Sequence, residues 1–432
     1  MMKIAFINQP WTLAIPPQGS DSTGIWTEQI CRCLKRDAEV FFFGLKNKDI
    51  ERFLTCHNGI YYCGISSLPD KLFKVFRVLE KKLKLNSHLP YFASPLFALG
   101  YILQVALEIR KRQFDIVHIH NFSQFVPIVR AFNPQTKIVL HLHCEWLSDL
   151  DRATVAKRID KADLILGCSN HIVNLIRDRF PEYRGKCQTV YNGVYSNYFV
   201  PSPNHRVAKD SNSSSQTLLF VGRISPEKGL HLLIDAFLQV VKKYPQTKLK
   251  LVGPEIVVAR ELLLDFSNDP RVTALEPFYT GSYLEQLKNR IPDRWRSQVE
   301  FLGGMSQEEL LPYYWDADIL INPSLSEALG MSLIEAMSTE TPVIANKIGG
   351  MVETVEHRKT GLLVAADAKN LTDAIMELLE NQSLRKSLGK AGRQRVLAKF
   401  SWQQIAASLL AYYQRLETEI VSEDSQFFSN TV

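Results

Sequence analysis

Phe220-Val221-Gly222-Arg223-Ile224-Ser225-Pro226-Glu227-Lys228-Gly229 reads as the end of a strand, a loop and the start of a helix. The apolar run TLLFVG ends at Gly222, two cations follow, and an apolar pattern of helical period begins after Gly229. Arg223 and Lys228 therefore stand at the carboxyl edge of a sheet. A planar guanidinium and a compact ammonium placed there can neutralise a diphosphate without a metal ion. Two surface charges on an ordinary strand-to-helix loop are the alternative reading.

Outward from this stretch, short apolar runs alternate with helical patterns in both directions. Downstream they are KLKLVG, VEFLG, DILINP, TPVIA and GLLV; upstream they are KIAFI, EVFFF, DIVHIH, KIVLHLH, LILGCS and QTVYN. Strand and helix in alternation make parallel sheets from βαβ units. The fold class is therefore α/β, with two Rossmann-like, doubly wound parallel-sheet domains. A chain of 432 residues, 46% hydrophobic and 22% charged, is long enough for two cores. The stretch VPSPNHRVAKDSNSSSQ has the composition of a solvated linker. The expected domains are 1–200 and 217–401, with 201–216 between them and an amphipathic helix over 402–417; the tail beyond it is expected to fray. Ligands of such sheets bind at the carboxyl ends of the strands, so a cleft between facing domains is the expected site.

Composition narrows the function. A net charge of +6 is small for this length, which argues against a nucleic-acid partner. Seven cysteines without CxxC pairing or zinc spacing read as reduced thiols of a cytoplasmic protein. The N-terminal run is strand-like and unlike a signal peptide. The apolar segment 95–109, broken by Gln104 and Glu108, is shorter than the roughly 20 residues that span a bilayer. Residues 71–85 carry Lys71, Lys74, Arg77, Lys81, Lys82 and Lys84 around an apolar face, so this helix either lies on an anionic membrane surface or packs on its own sheet. The inner face of the membrane is then a second location open to the protein.

A second segment, Asn322-Pro323-Ser324-Leu325-Ser326-Glu327-Ala328-Leu329-Gly330-Met331-Ser332-Leu333-Ile334-Glu335-Ala336-Met337, sets two glutamates apart so that each would grip a different part of an elongated ligand. Glu327 is expected in the loop and Glu335 in the helix. The amides of Gly330, Met331 and Ser332 would open that helix and suit a phosphate. Four histidines, His118, His120, His141 and His143, end two strands; the outermost, His120 and His143, are the candidates for a site, against the alternative of hydrogen-bonded core residues. Asp149-Leu150-Asp151 and Asp316-Ala317-Asp318 match a manganese-binding string but read as a helix start and a structural turn. No metal and no cofactor are expected.

Together the two segments resemble the sugar-nucleotide site of the family 4 glycosyltransferases, retaining enzymes of the GT-B fold, and nearly the whole chain fits that pattern. Further matches are Val190-Tyr191-Asn192-Gly193-Val194, Ala317-Asp318-Ile319, Pro342-Val343-Ile344-Ala345 with Gly349-Gly350, and Phe400-Ser401-Trp402. The resemblance implies a metal-independent, hexosyl-transferring enzyme with a nucleoside-diphosphate sugar as donor, uracil the implied base, and a saccharide or lipid-linked saccharide as acceptor, as in surface polysaccharide or glycolipid synthesis. It implies that Glu335 binds the ribose, that Glu327 contacts the donor sugar, and that Arg223 and Lys228 hold the diphosphate with help from the Gly330, Met331 and Ser332 amides. It gives His143 a place beside the donor sugar and Gly24 a place in a glycine loop facing the phosphate, where this chain has Thr23-Gly24 instead of adjacent glycines. It also returns the last helix to the N-terminal domain. A non-catalytic nucleotide-sugar-binding subunit and a sugar-nucleotide hydrolase or epimerase of the same fold are the rival readings.

Overall fold

A computed structural model of the chain describes residues 1–16, 21–47, 53–71, 89–202, 215–265, 267 and 269–429. The basic helix expected at 71–85 and most of the linker expected at 201–216 lie outside the described residues. The chain divides into two units, Met1–Tyr191 with Trp402–Val432, and Asn192–Ser401. The division falls at Tyr191 and not at 200, because 192–200 is bonded along the second unit. Val194 N–H donates to the Phe400 carbonyl at 2.8 Å, Ser338 Oγ to the Phe199 carbonyl at 2.6 Å and Trp315 Nε1 to the Val200 carbonyl at 2.7 Å.

The first unit is built on β1 (Met2–Ile7), β2 (Ala38–Leu45), β3 (Leu54–His57), β4 (Ile60–Ile65), β5 (Ile116–His120), β6 (Lys137–Leu142), β7 (Leu164–Gly167) and β8 (Cys187–Thr189). They line up as β3-β4-β2-β1-β5-β6-β7-β8. Only the β3–β4 pair is antiparallel, turning through Asn58 and Gly59, both at positive φ (50° and 77°). That is the conformation a tight two-residue hairpin demands. β1, β2, β4, β6 and β7 are largely buried on both faces, which is why they read as mainly apolar runs; the edge strand β8 is buried only at Cys187.

The last helix, Trp402–Ser429, is longer than the 402–417 expected, there being no proline or glycine in the sequence to stop it. Its Ile405, Leu409 and Tyr413 join Ile4, Phe6, Trp26, Ile30, Phe42 and Val139 in one buried cluster. At roughly 1.5–3 kcal/mol for each large apolar side chain taken from water, those three residues alone hold the helix to this unit.

Among the described residues the second unit has six parallel strands, β9 (Thr217–Val221), β10 (Lys248–Val252), β11 (Val299–Phe301), β12 (Ile319–Asn322), β13 (Val343–Asn346) and β14 (Leu362–Val364), in the order β11-β10-β9-β12-β13-β14. Leu218, Phe220, Leu249, Leu251, Ile319 and Ile321 pack with Leu233, Phe237 and Ile375 of the covering helices. In both sheets the unit's first strand has neighbours reached in opposite directions, so the order reverses between β1 and β5 in the first and between β9 and β12 in the second. Loops leaving neighbouring strands there diverge to opposite faces and open a crevice at the carboxyl edge.

Candidate functional site

The loops after β9 and β12 flank the second unit's reversal point, and they are the two segments singled out by sequence. Gly229 sits at φ +67°, where an added Cβ would lie 2.1 Å from the Pro323 carbonyl oxygen, so only glycine lets the loops close on each other. Leu325 N–H donates to the Glu227 carbonyl at 2.7 Å. The side chains then pair by charge. Lys228 Nζ meets Glu327 Oε2 at 2.8 Å with both groups mostly buried, and Arg223 Nη2 meets Glu227 Oε1 at 3.1 Å. Ser225 Oγ donates to the other oxygen of Glu227.

Burial works to raise the Glu327 carboxyl, but the Lys228 charge and hydrogen bond, with Arg223 and Asn322, overcome it and hold the group below the usual glutamate range. Glu327 is thus an anion. Gly350 N–H donates to its main-chain carbonyl at 2.9 Å, and a Cβ at Gly349 would stand 2.2 Å from the same oxygen. The Gly349-Gly350 pair is the floor under the glutamate loop.

Glu335 lies in the helix Met331–Ser338, which Gly330 opens at φ +89°. Its carboxylate accepts from Tyr314 Oη at 2.6 Å and from Gln307 Nε2 at 3.3 Å. Both of these partners are neutral, and burial pushes its pKa up to about 7 against the pull of the two hydrogen bonds. A buried acceptor at the edge of ionisation suits neutral hydroxyl donors. The amides of Met331 and Ser332 belong to a first helical turn, whose N–H groups have no partner inside the helix.

In the first unit the four histidines crowd around Trp26, with ring centroids 5.3, 5.1, 4.9 and 5.7 Å from it for His118, His120, His141 and His143. His118 Nδ1 is hydrogen-bonded to Tyr413 Oη at 2.6 Å and its Nε2 to His141 Nδ1 at 3.2 Å. His120 Nδ1 is hydrogen-bonded to His143 Nε2 at 3.0 Å and its Nε2 to Thr27 Oγ1 at 2.9 Å. The nitrogens of His118, His120 and His141 come within 4.8 Å of one another, and the hydrogen bonds join them as two pairs, His118 with His141 and His120 with His143. Burial, then neighbouring imidazoles, push all three below the ordinary histidine range. His143 is half-buried, and its backbone N–H donates to Asn121 Oδ1 at 2.8 Å.

Gly24 differs from its expectation. It lies inside the helix Ser22–Leu34, not in a loop, and its N–H donates to the capping carboxylate of Asp21 at 2.8 Å. In the Asp-x-Asp strings, Asp151 caps a helix by accepting from Thr154 N–H at 2.8 Å, Asp316 pairs with Lys250 at 2.9 Å, and Asp318 accepts from Thr217 N–H at 2.8 Å. Among the described residues Arg223, Lys228, Glu327, Glu335, Gly330, Met331 and Ser332 thus gather on one sheet edge, while His143 and Gly24 belong to the other unit. Sequence reading missed Tyr314, Gln307, Thr27 and Asn8, whose partners lie on other elements and leave no local pattern.

The family model described as Glycosyl transferases group 1 matches residues 201–395, and that described as Glycosyltransferase Family 4 matches 44–197. The spore coat protein SA of Bacillus subtilis is 26% identical over 325 residues, 72% of this chain and 81% of that protein. The lipopolysaccharide 1,2-N-acetylglucosaminetransferase of Salmonella typhimurium is 25% identical over 413 residues, 94% of this chain and 96% of that one. Among solved structures, the sucrose-phosphate synthase of Thermosynechococcus elongatus superposes with a TM-score of 0.74 at 22% identity, covering 97% of this chain and all (100%) of that one. The Anabaena protein HepE in complex with UDP gives 0.65 at 18%, covering 96% and 100%. No helix among the described residues is long and apolar enough to cross a membrane. Two parallel-sheet α/β units of the GT-B class, with both family models in register along the sequence, make this chain a member of the family 4 glycosyltransferases.

Proposed function

We propose that the protein transfers a sugar, with retention of anomeric configuration and without a metal ion, from a nucleoside-diphosphate sugar to an acceptor hydroxyl. The observation that carries this is the charge arrangement at the β9/β12 reversal: Arg223 and Lys228 at one edge, each held by a carboxylate of its own loop pair. A diphosphate arriving there meets two cations already positioned, and its departure needs no proton. Glu327, ionised by Lys228, keeps that ammonium in place and faces the donor sugar. Glu335 takes the ribose hydroxyls. The acceptor hydroxyl attacks from the face the diphosphate leaves, which gives retention.

The donor is UDP-linked in this reading, supported by the UDP-bound HepE structure. The acceptor is a saccharide, lipid-linked or free, in surface polysaccharide or glycolipid synthesis; the Salmonella lipopolysaccharide enzyme supports this class. The test is a thermal-shift panel of UDP, GDP, ADP and their sugar conjugates in EDTA, on wild type and Glu335→Ala. A ligand at 100 times its Kd stabilises the native state by about 2.7 kcal/mol, a shift of a few degrees. UDP compounds should produce it without metal and lose it in the variant. No shift with any nucleotide would overturn the donor site, and sugar release from the donor without any acceptor would favour the hydrolase.

A further inference from the structure

The first unit's reversal point carries a chain of aromatic rings that reaches the surface at both ends. Gln9-Pro10-Trp11-Thr12 follows β1 and closes as a tight turn, Thr12 N–H donating to the Gln9 carbonyl at 2.9 Å, with proline where its fixed φ suits the turn. Leu45 N–H donates to the Thr12 carbonyl at 2.7 Å, so the turn is tied to the end of β2 and Trp11 stands at its tip, 48% exposed. The indole meets the buried Phe122, just past β5, edge to face at 5.6 Å and 82°. Phe122 stacks on Phe97 at 5.5 Å, and Phe97 meets Tyr91, 38% exposed, edge to face at 5.2 Å. The segment that carries Tyr91 is held as firmly as the turn. Gln124 Nε2 donates to the Phe92 carbonyl at 2.7 Å, and Nη2 of the buried Arg158 donates to the Ala93 carbonyl at 2.8 Å.

We propose that this chain of rings is an aromatic platform for a pyranose ring of the acceptor, with Trp11 as its principal ring and Tyr91 as its far end. The inference rests on the reading that the protein transfers to a saccharide, and it names the residues that recognise one. An indole held half exposed on a hydrogen-bonded turn forgoes apolar burial, which a ligand can supply. A pyranose ring has an apolar C–H face and a rim of hydroxyls, and it matches side chains that are apolar in body and polar at the tip. A fatty chain has no use for that polar tip. The rings carry no charge, and the nearby guanidinium of Arg158 is buried and turned to a carbonyl, so the platform suits a neutral sugar ring over an anionic headgroup. Because packing and backbone bonds already fix the rings, little side-chain freedom is lost when a sugar settles on them.

The test is fluorine NMR of the full chain labelled with fluorotryptophan, the Trp11 signal being assigned by its loss in Trp11→Phe. The probes are the methyl pyranosides of glucose, galactose, mannose and N-acetylglucosamine, added without nucleotide. At least one should move the Trp11 signal. Saturation transfer from protein to that glycoside should then show binding about tenfold weaker in Trp11→Ala and within about threefold of wild type in Trp11→Phe, which keeps an aromatic face. No movement of the Trp11 signal with any of these glycosides overturns the proposal, and so does a glycoside that binds Trp11→Ala as well as wild type. A Trp11 signal moved by phosphatidylglycerol vesicles and by no glycoside makes the surface a membrane contact and overturns it too. The wild-type titration decides the matter even if Trp11→Ala does not fold. The UDP thermal shift on wild type tests the transferase reading separately: a chain that binds glycoside at Trp11 and no nucleotide keeps the platform and loses the donor site.

Discussion

The two sheets reverse their strand order in the same way and carry opposite chemistry at that point. In the second unit the loops after β9 and β12 bring Arg223, Glu227, Lys228 and Glu327 together as ion pairs. In the first, the loop after β1 and the end of β5 bring Asn8 and His120 together with Thr27 of the following helix, all of them buried, in a network of amide, hydroxyl and neutral imidazole. Topology chooses where a ligand can sit, whereas the loop residues choose which ligand. A charged sheet edge can stabilise a leaving diphosphate, whereas the neutral network, fully buried, ties β1, β5 and the helix between them together.

The largest test of that contrast is Lys228→Ala. It removes a cation from the leaving group and abandons the Glu327 carboxylate in a buried place, where its pKa should climb above the ordinary glutamate range. We expect kcat/KM to fall on the order of 10³-fold, the scale seen when one preorganised charge stabiliser is lost. His143→Ala, which touches no charge, should fall at least tenfold less. Steady-state kinetics on the two variants decide it, and equal losses would mean the first unit carries transition-state charge as well.

Acidification should move the contributions of Glu335 and of the three buried histidines in opposite directions. Glu335 rises from 4.5 to about 7 on folding, so the native state binds its proton more tightly than the unfolded chain does. That group's destabilising effect is absent below the unfolded value and complete above about 7, a loss of about 3 kcal/mol across the interval. His118, His120 and His141 are shifted well below 6.5, so the unfolded chain binds protons that the folded unit refuses. Their stabilising effect is present above 6.5 and is lost as pH falls, by up to about 1.4 kcal/mol per pH unit for each ring. Between about pH 5 and pH 7, hydrogen exchange of the second unit should gain less protection with acid in Glu335→Gln than in wild type, while His231, pushed down to about 4 by burial, pulls the other way in both proteins. An identical pH response in wild type and Glu335→Gln would refute the assignment.

How much of this was legible follows from where each signal lives. Strands buried on both faces appear as apolar runs, so the two sheets could be read almost strand by strand. The β3–β4 hairpin was overlooked although Asn58-Gly59 is a strong local turn signal, because its strands, LTCH and IYYCGI, have weak apolar contrast. The charged loops were legible because glycine, cation and carboxylate recur there at short spacing. Attachments of 192–200 were not, since they bind to residues more than a hundred positions away. Nor was the neutral network, because Asn8, Thr27 and His120 come from separate elements and each alone looks like an ordinary buried polar residue. The same holds for Tyr314, which keeps Glu335 company from another helix.

The smallest expected effect sharpens the contrast from the other side. Gly24 was expected to face a phosphate, but its N–H already donates to Asp21, which also accepts from Thr23 Oγ1 at 2.7 Å. A backbone donor held by a carboxylate has little to offer an anion, and the carboxylate itself repels one. Gly24→Ala adds a methyl inside a capped first turn, where alanine is the better helix former by up to about 1 kcal/mol. Nucleotide affinity measured by calorimetry should therefore change by less than about threefold, roughly 0.65 kcal/mol. A tenfold loss would mean that phosphate comes closer to the Gly24 backbone than a methyl group permits, with Asp21 displaced to admit it. The first unit would then take part in binding the nucleotide, and the contrast between a charged and a neutral sheet edge would no longer hold.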